Sequence, residues 1–270
     1  GRLHHGGKWR NEQEWPLSRS VTSNYYLHAD GSLRESPPAD NASSTSFTFD
    51  PENPVPSIGG NVSSHVQYEP LPGGIIDPSL VPRTARVSDL MSPGGYDQTE
   101  RSDLFGCRSP YLPLSARSDV LVFQTALLNV DLEVTGPVTV RLWVTSDALD
   151  TDFTAKLIDV YPPSASYPQG YTLNLSDSIF RLRYRNGPER GHHMKRGEIA
   201  EIEVTLYPTS NLFVIGHRVR LDISSSNFPR FDINPNTGEA IGQNRRLFVA
   251  TNTVYHNREH SSHLVLPVVR

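Results

Sequence analysis

A single cysteine, Cys107, occurs among 270 residues. That excludes an internal disulfide but leaves the compartment open between cytoplasmic and exported, because many exported proteins also lack disulfides. No apolar run reaches the ~18 residues a membrane-crossing helix needs, and the opening GRLHHGGKWRNEQEW has no apolar signal core. The formal net charge is only −4. So weak a field does not gather nucleic acid or an anionic membrane, and neither is expected as a partner. Long 3.6-residue periodicities are missing. So is any glycine followed two positions later by serine, which removes the G-x-S-x-G elbow that projects a hydrolase nucleophile.

What is abundant is proline and glycine, 22 and 19 residues, the punctuation of many short strands. From Asp119 onward, apolar and polar residues alternate with period two. Val138, Val140, Leu142 and Val144 interleave with Thr139, Arg141, Trp143 and Thr145. The same pattern runs through Phe153–Leu157, Phe180–Arg185, Glu201–Leu206, Arg218–Ile223, Leu247–Tyr255 and His263–Val269. Such alternation predicts strands with one packed face and one wet face. The fold class expected is all-β, a jelly-roll-like antiparallel β-sandwich.

The first third is irregular. Ala29-Asp30-Gly31-Ser32 predicts a hairpin turn, Phe47–Phe49 a short strand, and Thr84–Met91 a short helix. Pro51–Gly60 carries three prolines and can be neither helix nor central strand. The expectation is one domain over residues 1–270, with 1–117 as wrapping loops and short strands and 118–270 as the main strands. At this length roughly 70–75% of the unfolded surface can be buried.

Several constellations invite chemistry and are read conservatively. Cys107 precedes Arg108, which could lower the thiol pKa, but a lone cysteine carries no catalytic assignment. His256-Asn257-Arg258-Glu259-His260 matches H-x-x-E-H, yet zinc binding there needs a helix, and strand-like flanks make this a hairpin turn. Asp147, Asp150 and Asp152 have a spacing open to calcium; turn chemistry explains them as well. Arg181, Arg183 and Arg185 form a ladder facing solvent or pairing with Glu201 and Glu203. Trp143 is expected to lie under the N-terminal wrap, since large exposed aromatics are unusual without a partner. No catalytic residue, metal site or cofactor is assigned.

Longer stretches carry a resemblance. Gly216–Gly238 (GHRVRLDISSSNFPRFDINPNTG), Asp50–Gly60 (DPENPVPSIGG) and Ser146–Val160 (SDALDTDFTAKLIDV) resemble the C-terminal β-sandwich domain of the cocaine-esterase and X-prolyl dipeptidyl-peptidase family of serine hydrolases. α-Amino-acid ester hydrolases and glutaryl acylases share that domain. The likeness runs from Trp9-Arg10 and Glu14-Trp15-Pro16 to Leu266-Pro267; Gly1–Gly7 and Ser164–Tyr171 depart from it. The resemblance implies an accessory domain that packs on an α/β-hydrolase domain, absent from this chain, which holds the catalytic triad. It implies no activity in this chain alone. It also implies that Gly59, Gly60, Asn61 and Val62 reach the substrate cleft, a close approach that Gly-Gly after Pro-Val-Pro permits. A free-standing carbohydrate- or ligand-binding module is the alternative, and self-association into a homo-oligomer is left open.

Overall fold

The computed structural model describes residues 7–61, 91, 94–240 and 242–269. Within them the chain forms β1 (Ser20–Leu27), β2 (Leu33–Arg34), β3 (Ser44–Phe49), β4 (Leu121–Gln124), β5 (Leu132–Ser146), β6 (Asp152–Tyr161), β7 (Tyr171–Arg181), β8 (Ala200–Phe213), β9 (Arg218–Ser224), β10 (Ala250–Tyr255) and β11 (His263–Val269). Every strand pair among them is antiparallel. One sheet runs β2-β1-β11-β5-β10-β3, with β8 on the other side of β5; the second runs β4-β9-β6-β7. This is the all-β sandwich that the alternation predicts.

The long strand β5 organises the first sheet. β8 pairs along nearly its whole length on one edge, while β11 and then β10 share the other. Two prolines, which cannot donate to a ladder, are accommodated at matched irregularities. The β5–β8 register shifts at Gly136/Val138, around Pro137, and the β11–β5 register shifts between Val265 and Val268, around Pro267. A Cβ on Gly136 would meet Pro267 Cγ at 2.9 Å, so the bulge needs glycine.

The inward rows interdigitate to make the core. Val138, Val140, Leu142 and Val144 of β5, with Val204 of β8, pack with Phe153, Ala155 and Leu157 of β6 and Val219, Leu221 and Ile223 of β9, all fully buried. Each such aliphatic or aromatic side chain contributes about 1.5–3 kcal/mol relative to leaving it in water.

Three expectations are corrected, and the short strands of the first third join the main sheet, β1 pairing with β11 and β3 with β10. First, the strand over Phe180–Arg185 stops at Arg181, and Leu182–Tyr184 form a 3-10 turn. The arginines therefore make no ladder: Arg181 pairs with Asp152, Arg183 with Asp150 and Arg185 with Glu198. Second, the strand foreseen from Leu247 begins at Ala250, with Leu247–Val249 exposed. Third, the polar positions of β6 and β9 are not wet. Thr154, Lys156, Arg220 and Asp222 are buried, because Val55, Gln98, Leu114 and Val120 cover that face. Most of the helix expected at Thr84–Met91 lies outside the described residues, as does Val62.

Candidate functional site

The covering loop over the second sheet is the proline-rich arm, residues 50–61. Asp50 opens it: its side chain accepts from Glu52 N at 2.9 Å and its carbonyl from Asn53 N at 3.0 Å, a local turn of the kind aspartate favours. Beyond Pro54 the arm is stitched to the signature segment that follows β9. Val55 N donates to Ser226 Oγ at 2.8 Å, Phe228 N to Val55 O at 2.9 Å and Ser57 N to Phe228 O at 2.7 Å. Ser57 Oγ donates to Asn227 Oδ1 at 2.9 Å and accepts from Arg230 N at 3.2 Å. Val55, Ile58, Leu114 and Val120 form a small second core beneath it.

The tip is fixed just as tightly. Gly60 and Gly94 exchange both backbone hydrogen bonds, at 2.8 and 2.7 Å. Both arm glycines have positive φ, +66° at Gly59 and +120° at Gly60, which L-residues with side chains resist. A Cβ on Gly59 would sit 2.6 Å from Gly94 O, and one on Gly60 would sit 3.0 Å from Arg230 Nη1. Asn61 follows, exposed to solvent. The structure thus places Gly59, Gly60 and Asn61 together at the end of a rigid arm.

Under the arm lies a buried row of alternating charge. Lys156 is register partner to Asp177 on one side and to Asp222 on the other. Asp177 pairs with Arg230 at 2.6 Å and Asp222 with Arg220 at 2.6 Å. Asp177, Lys156 and Asp222 stand side by side across the sheet, with Arg230 from the following loop on Asp177 and Arg220, two residues along β9, on Asp222. Arg230 is held further between the rings of Tyr207 and Phe231, at 5.5 and 5.3 Å. Burial pushes the Lys156 ammonium below its usual range despite both aspartates, and its amine donates to Gln98 Oε1 at 3.3 Å.

The remaining constellations turn out to be structural. Asp147 accepts from Thr251 N at 2.8 Å. Asp150 takes Arg183 N and Nε at 2.9 and 2.6 Å, Asp152 takes Arg181 through two bonds of 2.8 Å, and Asn234 bridges the two carboxylates at 3.0 and 2.7 Å. His256 lies between Ser43 Oγ and Thr45 Oγ1 at 2.7 and 2.8 Å, while the His260 ring packs on Trp143 with centroids 4.8 Å apart. The two histidines of H-x-x-E-H therefore serve different neighbours in a turn closed by the His256–Ser261 bridge. Among the described residues no three His, Cys, Asp or Glu side chains gather as metal ligands would. Burial raises the Cys107 thiol, the opposite of the activation Arg108 could have given. Trp143 is half-buried with the His260 ring packed on it, and Trp9 and Trp15 are exposed.

One pair escaped the sequence reading. Asp159 Oδ1 holds His217 Nδ1 at 2.8 Å in a buried site, and the Tyr161 ring lies 4.3 Å from the imidazole. A base and its orienting carboxylate are present there, but Tyr161, whose phenol is pushed up to about 12 chiefly by burial, is a poor nucleophile near neutral pH.

Residues 2–265 match the X-Pro dipeptidyl-peptidase C-terminal non-catalytic domain. The chain belongs to that domain family. The cocaine esterase of Rhodococcus sp. (strain MB1 Bresler) is 34% identical over 273 residues, covering 97% of this chain and 40% of that protein. Among solved structures, an aminopeptidase from a marine sediment Thaumarchaeota archaeon superposes with a TM-score of 0.75 at 26% identity, over 97% of this chain and 39% of its own. An α-amino acid ester hydrolase superposes with a TM-score of 0.68 at 29% identity, over 92% of this chain and 36% of its own. This chain therefore spans at most 40% of the length of the curated relatives it matches.

Proposed function

We propose that this domain is the accessory β-sandwich of a serine acyl or peptide hydrolase of ester-hydrolase or X-prolyl dipeptidyl-peptidase type. Residues 1–270 act as one unit that stabilises the catalytic α/β-hydrolase domain and lines part of its cleft. The match of nearly the whole chain to a domain defined as C-terminal and non-catalytic carries this reading. The arm supports the finer part. Gly59 and Gly60 are locked by Gly94, Tyr96 and Arg230, so Asn61 is presented from a fixed root, as a cleft wall requires. Gly59, Gly60, Asn61 and Val62 are the proposed contacts.

The test uses a longer protein carrying both domains. Asn61→Ala and Val62→Ala should change kcat/KM unequally across esters of increasing acyl size; uniform kinetics would remove the cleft role. The isolated chain should neither hydrolyse p-nitrophenyl esters or X-prolyl substrates nor react with a fluorophosphonate probe. Turnover by it alone would overturn the accessory reading. Glycan binding by the isolated chain would favour a free-standing module.

A further inference from the structure

The arm's root borders a small recess of about 10 Å³ beside Lys156. Its polar wall includes Lys156, Asp222, Ser224 and Thr154, and its apolar wall Val55 and Leu114. A void of ~10–15 Å³ is the smallest that admits a water molecule, and it stays dry unless two to four polar groups face it. Here they do. Ser224 is 5% exposed and its Oγ has no hydrogen-bond partner among the described residues. Lys156, also 5% exposed, has three ammonium protons, and the acceptor found for it among the described residues is Gln98 Oε1 at 3.3 Å. Thr154 Oγ1 reaches Ser226 O only at the long distance of 3.5 Å. An empty cavity would leave a buried hydroxyl and ammonium protons stripped of solvent with nothing in return, an arrangement native interiors avoid.

We infer that this cavity binds one water molecule, which accepts from Lys156 Nζ, bonds Ser224 Oγ and donates to the Asp222 carboxylate. The water completes the shell of the central cation in the charge row. It also joins the sheet to the root of the arm, because Val55 closes the same cavity and donates its amide to Ser226 Oγ at 2.8 Å. The assignment is independent of whether the arm reaches a cleft.

A crystal structure of this chain at about 1.5 Å tests it, together with the Ser224→Ala variant and a bromide-soaked crystal. One peak is expected within ~2.7–3.2 Å of both Lys156 Nζ and Ser224 Oγ, with no anomalous bromide signal. Ser224→Ala should empty the site and speed hydrogen exchange of the Val55 amide about threefold to tenfold, the effect of losing one net hydrogen bond. A dry cavity in the unmodified chain would overturn the inference, as would bromide in the site. So would a Ser224→Ala variant in which peak and exchange rate are both unchanged.

Discussion

Lys156 on β6 stands directly across from Asp222 on β9, and both are buried beneath a loop that begins a hundred residues earlier in the chain. The lysine is nevertheless held below its usual range by burial. Between that lowered folded value and the ~10.4 of an unfolded lysine, the unfolded chain binds more protons, so stability rises with pH in that window. Lys156→Met should flatten this rise. Urea unfolding at intervals from pH 7.5 to 10.5 measures it, and an unchanged slope would show that the amine is solvated like a surface lysine.

Tyr161 has the opposite sign. Its folded phenol is raised to about 12, mainly by burial and then by Asp159, against ~10 in the unfolded chain. Above pH 10 the unfolded state loses its proton first, so this residue's contribution drains away as pH climbs toward 12. Tyr161→Phe should lose less stability between pH 10 and 12 than the parent; thermal melts across that range read the difference.

Gly60 and Gly187 form a matched pair. Their φ values are +120° and +121°, but a Cβ on Gly187 meets nothing within 4 Å, whereas one on Gly60 meets Arg230 Nη1 at 3.0 Å. Alanine at either position incurs backbone strain of about 1–3 kcal/mol. Gly60→Ala should be destabilised further because its neighbour is a guanidinium pinned between two rings. Equal urea midpoints for the two variants would mean that the seat under the arm yields freely.

Removing one partner of a buried ion pair leaves the other charge stranded. Arg181→Met should therefore cost about 3–5 kcal/mol, since Asp152 is fully buried and takes both of the arginine's bonds. Asp152→Asn in the same chain should recover part of that loss. A double-mutant cycle in urea gives the coupling, and simple additivity would contradict the pairing.

The sandwich was legible because β5 and β8 bury one face only. Val138 to Val144 and Ile202 to Leu206 alternate with residues that do face water, so period two means what it normally means. The same pattern misled at Phe153–Leu157 and Arg218–Ile223. Lys156, Arg220 and Asp222 carry charge whether water or a loop covers them, and the covering residues Val55 and Gln98 lie far away in sequence. At Arg181–Arg185 the alternation continues past the last strand residue, because a 3-10 turn can carry apolar Leu182 inward without strand geometry. The rigidity of the arm could be anticipated from three prolines and two glycines. The row of charges beneath it could not, since Lys156, Asp177 and Asp222 come from three strands and Arg230 from the loop after β9. The Asp159–His217 pair joins residues on two strands with no local motif to announce it.

The first sheet has a temporal consequence. Ser20 pairs with Val269 and Phe49 with Ala250, so these early segments wait for partners made much later in synthesis. Until β10 and β11 emerge from the ribosome, one flank of β5 stays open and the hydrophobic interior cannot close. Such long-range pairings make for slow, late-completing folding, and for this domain the last two strands act as the zip fastener of the whole assembly.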